Sequence, residues 1–192
     1  MRRPSSACRA RALLFAAALT APMSARLGAQ TPSTQPAIRV DSAGGAPASA
    51  TPSWLAADDA ARTVTIALQV TRGPDGVAIN GAREGGMQIV VPLGWSVHWD
   101  WRNADSTSPH SLVVMVEREK LPTEGGHPAF SNAMTRMVSV GLAAGQGDRT
   151  TFTAEEAGWY WLLCGVPEHA IAGEYLGLRI DPEAKTASVK RK

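Results

Sequence analysis

No apolar run in the chain reaches the ~18–20 residues that a membrane-spanning helix needs, which speaks against an integral membrane protein. Cysteine is scarce: Cys8 and Cys164 are the two in 192 residues. There is no Gly-rich phosphate loop, no His-Glu-x-x-His and no serine elbow. Helical periodicity is confined to short stretches around Leu55 to Ala61 and Ala154 to Glu156. A true excess of basic charge is also missing. Residues 1–29 hold Arg2, Arg3, Arg9, Arg11 and Arg26 and no acid; without these five, 19 basic side chains become 14 against 17 acidic ones, a net of −3. A chain of that charge has no general electrostatic reason to bind nucleic acid. What is present is 44% apolar and 19% charged residues, the proportions of a chain that buries a core rather than of a disordered one. The length suits one domain of ordinary size.

Residues 1–29 read as a secretory signal peptide. Four arginines precede the apolar stretch Ala12 to Leu19, and Leu27-Gly28-Ala29 forms a small-residue cleavage site before Gln30. Arg2-Arg3 is a weak twin-arginine signal, and Cys8 lies before the apolar run, where no lipoprotein cysteine sits. An uncleaved anchor is the alternative, against which Pro22 and Arg26 argue. The expected location is periplasmic or secreted. Residues 30–53 are Thr, Pro, Ser, Ala and Gly with almost no large apolar side chain. They bury too little to offset the entropy of ordering, so they read as a flexible linker before a domain over 54–192.

The domain carries mostly strand signals. Thr63 to Val70 alternates apolar and polar with period two and ends in the turn Gly73-Pro74-Asp75-Gly76. Met87 to Val91 and Trp95 to Trp101 follow, the latter with Val97, Trp99 and Trp101 on one face and Ser96, His98, Asp100 and Arg102 on the other. Ser111 to Val116, Arg136 to Leu142, Thr150 to Thr153, Trp159 to Leu163 and Tyr175 to Ile180 complete about eight short strands. Many short strands between Gly- and Pro-rich turns mean an all-β sandwich or barrel.

Cleavage of the leader leaves Cys164 alone in a compartment where thiols are normally paired. A strand ends at Cys164, a Pro/Gly loop carries His169, and a new strand starts near Glu174; upstream, the Pro109-flanked His110 opens another strand. A lone cysteine is most often a core residue and a lone histidine a surface one. Together, a thiolate and two imidazoles on rigid elements suit copper in both oxidation states. Zinc fits the same ligand types, but a structural zinc site usually draws on more cysteines. A cysteine–histidine nucleophile pair is a third reading, which has no obvious orienting partner here.

The stretch Cys164-Gly165-Val166-Pro167-Glu168-His169-Ala170-Ile171-Ala172-Gly173, the preceding Tyr160-Trp161, Pro109-His110-Ser111, and Val91-Pro92-Leu93-Gly94-Trp95 resemble the sulfocyanins, blue copper proteins of the cupredoxin superfamily. Asn80-Gly81 with Gly86-Met87, and Trp54 with Thr63-Val64-Thr65, extend the resemblance over roughly residues 54–181. It implies a Greek-key β-sandwich holding one copper per chain that cycles between Cu(I) and Cu(II). It implies His110, Cys164 and His169 as equatorial ligands, and transient docking near His169 of respiratory redox partners such as a terminal oxidase or cytochrome. The family places a methionine five residues after the loop histidine; here that position is Glu174, and no methionine occurs after Met137. Glu174 is therefore the candidate axial ligand. A copper centre altered by Glu174 also admits a reactive, small-ligand-binding or sensing role, and copper trafficking or a metal-free structural role stays open beside it.

The remaining candidates carry less. His98 is expected to be exposed, His127 to sit in a solvated loop, and Met134 and Met137 to pack rather than donate sulfur. Trp99, Trp101, Trp159 and Trp161 are expected in the core, and Lys190-Arg191-Lys192 as a solvated tail. Val166, Pro167, Ala170 and Ile171 are expected to form an apolar collar around His169.

Overall fold

A computed structural model describes residues 51–192; the signal-peptide reading and nearly all of the linker reading lie outside them. Among the described residues, ten strands and no helix form two five-stranded sheets. The strands are β1 (Leu55–Asp58), β2 (Thr63–Gly73), β3 (Gly76–Ile79), β4 (Met87–Pro92), β5 (Ser96–Asn103), β6 (Val113–Val116), β7 (Gly147–Thr153), β8 (Gly158–Leu163), β9 (Tyr175–Asp181) and β10 (Ser188–Arg191). The first sheet runs β1-β2-β5-β7, with β3 sharing the outer edge of β2 with β1. The second runs β10-β4-β9-β8-β6. The pairs β2–β5 and β4–β9 are parallel and the others antiparallel. Parallel neighbours require long crossovers, so the chain passes repeatedly between the two sheets of a sandwich.

The period-two pattern turns Val64, Ile66, Leu68 and Val70 of β2 and Val97, Trp99 and Trp101 of β5 into the space between the sheets. Met87, Ile89 and Val91 of β4 and Leu176, Leu178 and Ile180 of β9 meet them there. Phe152 lies edge-on to Trp99 at 5.4 Å and stacks on Phe130 at 5.6 Å. Each large apolar side chain buried in this way contributes ~1.5–3 kcal/mol.

Several sequence expectations are corrected. Leu55 to Ala61 is strand β1 and a turn, because Leu55 is buried and pairs with Ile66. Lys190 and Arg191 are exposed but belong to β10, paired with β4, rather than to a free tail. Arg136 to Leu142 is not a strand. Met137 and Gly141 both adopt positive φ, and the amides of Val140 and Gly141 turn back onto the Met137 carbonyl. Only Leu142 pairs, in a single bridge with His110. Trp159 is half exposed. On β8, Tyr160 and Leu162 face the main core, whereas Trp159, Trp161 and Leu163 face the other way. Val113 and Ala170 cover Trp161 and Leu163; Trp159 lies further along and meets the Arg179 guanidinium at 4.4 Å.

Candidate metal centre

The loop from β8 to β9 brings Cys164, His169 and Glu174 to one end of the sandwich. It is a series of tight turns: the amides of His169, Ala172 and Gly173 donate to the carbonyls of Val166, Glu168 and Ala170, and Glu174 N–H returns to the His169 carbonyl. Cys164 N–H donates to the Glu174 carbonyl, which closes the loop at its base. His110 arrives from the β5–β6 connection and is held by two backbone hydrogen bonds to Leu142. A third segment clamps the loop from outside. Gly125 N–H donates to the Gly165 carbonyl, and Glu168 N–H to the Thr123 carbonyl.

The four expected side chains converge. The Cys164 sulfur, one nitrogen of each histidine and a Glu174 oxygen all lie within 4.8 Å of one another. Cys164 Sγ stands 3.5 Å from His169 Nδ1 and 4.0 Å from His110 Nδ1. The two Nδ1 atoms are 3.2 Å apart, and Glu174 Oε2 is 2.8 Å from His110 Nδ1 and 3.3 Å from His169 Nδ1. Donors that share one ion at ~2.0–2.3 Å stand roughly 3–4 Å from each other, so the cluster has the right size for a single ion. Its chemistry agrees. Four lone-pair donors face one point, and the second Glu174 oxygen, Oε1, is buried without a hydrogen-bond partner. A buried orphan oxygen is costly unless a cation or proton answers it.

His110 and Cys164 are fully buried and Glu174 is 2% exposed, whereas the His169 side chain is 26% exposed. Burial pushes the Cys164 thiol up to about 12, the Glu174 charge adds to this, and N–H groups from Ser111 and Val166 oppose it. Ser111 N–H reaches the sulfur at 3.4 Å. The Ser111 hydroxyl accepts from Gly165 N–H and donates to the Val138 carbonyl, pinning the residue after the cysteine. Burial disfavours charge on Glu174, but hydrogen bonds from His110 and His169 outweigh it and hold the carboxyl below its ordinary value. Burial likewise disfavours charge on His110; Glu174 and Asp105 overcome it and raise the imidazole.

Asp105 is the residue that sequence reasoning missed. It is 1% exposed, and its Oδ2 accepts from His110 Nε2 at 2.9 Å. Its spacing of five from His110 was a usable signal, but aspartate in a Ser/Thr-rich loop reads first as turn chemistry. Among the other candidates, His98 is partly buried, with Nδ1 2.9 Å from Thr151 Oγ1, and His127 is exposed. Met134 and Met137 are exposed side chains. Ala170 is buried against Val113, Trp161 and Leu163, so it is no part of a collar. The apolar rim near His169 consists of Val166, Pro167 and the 48%-exposed Ile171.

A two-sheet sandwich with a thiolate, two imidazoles and a carboxylate gathered at one end defines a copper protein of the cupredoxin kind. The chain belongs to the sulfocyanin family: the Sulfocyanin (SoxE) domain matches residues 50–187. Its metal is copper, and the work of this family's fold is copper-based electron transfer. Among solved structures, the chain is similar to dithionite-reduced auracyanin from the photosynthetic bacterium Roseiflexus castenholzii, at 19% identity over 60% of this chain and 97% of that one, with a TM-score of 0.43. It is similar to rusticyanin from Thiobacillus ferrooxidans at 19% identity over 62% and 82%, with a TM-score of 0.40. A copper-containing nitrite reductase from Thermus scotoductus is similar at 17% identity over 62% and 28%, with a TM-score of 0.44. No curated protein sequence matches the chain.

Proposed function

We propose that the protein is an exported single-electron carrier in which His110, Cys164, His169 and Glu174 hold one copper per chain. Copper in such a site supplies a one-electron interconversion of Cu(I) and Cu(II). The observation that carries the reading is the convergence of these four donors within 4.8 Å, three of them buried. Cys164 must give up its proton to bind, so uptake releases protons and weakens as pH falls. The turns of the 164–174 loop fix the donors on a short, internally hydrogen-bonded frame that needs little rearrangement when charge changes. Glu174 would be the fourth residue to hold the metal: its carboxylate is buried beside both Nδ1 atoms instead of turning to solvent.

His169 is the partly exposed donor, and Val166, Pro167 and Ile171 beside it form an apolar rim where a redox partner docks briefly. A terminal oxidase or cytochrome of a respiratory chain is the fitting partner. Residues 1–29 act as a cleaved export signal and residues 30–53 as a tether. Protein purified from its own host should begin near Gln30, carry about one copper per chain and absorb strongly in the visible. Cys164→Ser should abolish that band, which needs thiolate-to-copper charge transfer. An intense band surviving in the serine variant removes Cys164 from the site and the electron-carrier reading with it.

A further inference from the structure

Asp105 has no part in the four-donor cluster, yet it is among the most heavily bonded side chains beside it. Oδ1 accepts from Thr107 N–H at 2.8 Å and from Thr107 Oγ1 at 2.7 Å. Oδ2 accepts from His110 Nε2 at 2.9 Å, from Arg72 Nε at 3.0 Å and from Arg72 Nη2 at 2.9 Å. Five donors on two oxygens suit an ionised carboxylate, which only accepts. The loop that carries it is fixed independently. Asp105 N–H donates to Asn103 Oδ1, and Asn103 Nδ2 donates to the Ser108 and Leu142 carbonyls. Leu142 is the residue bridged to His110. The carboxylate and the imidazole are therefore set against each other by the backbone on both sides.

Both ring nitrogens of His110 face a carboxylate, Nδ1 toward Glu174 Oε2 at 2.8 Å and Nε2 toward Asp105 Oδ2 at 2.9 Å. With the Nδ1 lone pair given to the metal, as the ligand reading requires, Nε2 carries the proton and donates it to Asp105. A carboxylate behind a ligating imidazole also increases its basicity and favours the higher charge on the metal. Resting on the ligand reading above, we propose that Asp105 is a positioning residue that, through the His110 Nε2–H bond, fixes the His110 tautomer and lowers the reduction potential of the copper site. Arg72 and Thr107 compete with His110 for the same carboxylate and so moderate its effect.

Potentiometry of the copper-loaded full chain tests this. Asp105→Asn keeps an acceptor in place but removes the charge. It should retain copper and the visible band while shifting the preference toward Cu(I) by about tenfold, ~59 mV upward for one electron. Thr107→Val changes no charge and removes one competing donor, so it should move the potential downward. Loosened structure alone would not give opposite shifts in the two variants. In the diamagnetic Cu(I) form, nitrogen NMR should show His110 protonated at Nε2 and not at Nδ1. An unchanged potential in Asp105→Asn overturns the inference. Where that variant does not fold, an unchanged or raised potential in Thr107→Val, or a proton on Nδ1, does so. His110→Ala separates the two levels: if it leaves the band and potential intact, the ligand reading fails; if it abolishes the band while the other variants match wild type, only the role of Asp105 fails.

Discussion

Glu174 stands where the family places methionine, and the substitution changes the kind of donor as well as its shape. A thioether is neutral and soft and favours Cu(I); a carboxylate is hard and anionic and favours Cu(II). Its Oε2 lies 2.8 Å from His110 Nδ1, and the residue is 2% exposed. The wild-type protein is therefore expected to have a lower potential than a methionine-ligated site and a green or red colour in place of blue. Glu174→Met should raise the potential and move the spectrum toward blue, measured by redox titration with optical and paramagnetic-resonance spectra. A variant that matches wild type in both removes Glu174 from the metal. The place of Glu174 in the ligand loop is legible in the amino-acid sequence; its inward orientation is not, because a strand-start glutamate has equal stereochemical access to solvent.

The elements were legible where a pattern repeats and obscure where a single contact decides. β2 and β5 follow from strict alternation, and the 164–174 loop from its Pro and Gly spacing. Residues 136–142 show the opposite. Their Val, Met and Leu content suggests a strand, but Gly141 adopts φ +82, and an added Cβ there would approach the His110 amide to 2.8 Å. β10 was hidden by its charges, which sit well on the exposed edge of a sheet. The outer clamp on the metal loop has the same dependence on one contact. A Cβ at Gly125 would stand 2.6 Å from Gly165 Cα and 2.5 Å from Val138 Cγ1. Gly125→Ala should force the clamp away from the cysteine loop and destabilise the protein by ~1–3 kcal/mol. Denaturant unfolding checks this, and the copper-loaded form should lose more than the copper-free form because the displaced loop carries the donors.

At the scale of the whole molecule, the donor cluster is confined to one end of the sandwich. The donors sit within one tip, whose apolar rim meets solvent at Ile171. Ile171→Asp should leave copper content and spectrum unchanged but slow electron exchange with a cytochrome about tenfold, equivalent to ~1.4 kcal/mol, because an unpaired charge would be desolvated on contact. Unchanged stopped-flow kinetics would place docking on another face. The parallel pairing of β2 with β5 and of β4 with β9 has a separate consequence, in the order of events during folding. Val90 meets Arg179 and Val64 meets Val97 across long stretches of chain. The entropy of closing those stretches is spent before any of their contacts form. His110 precedes β6 and the cysteine loop joins β8 to β9, three neighbouring strands of the second sheet, so the donors gather as those strands pair and need not await the parallel pairs.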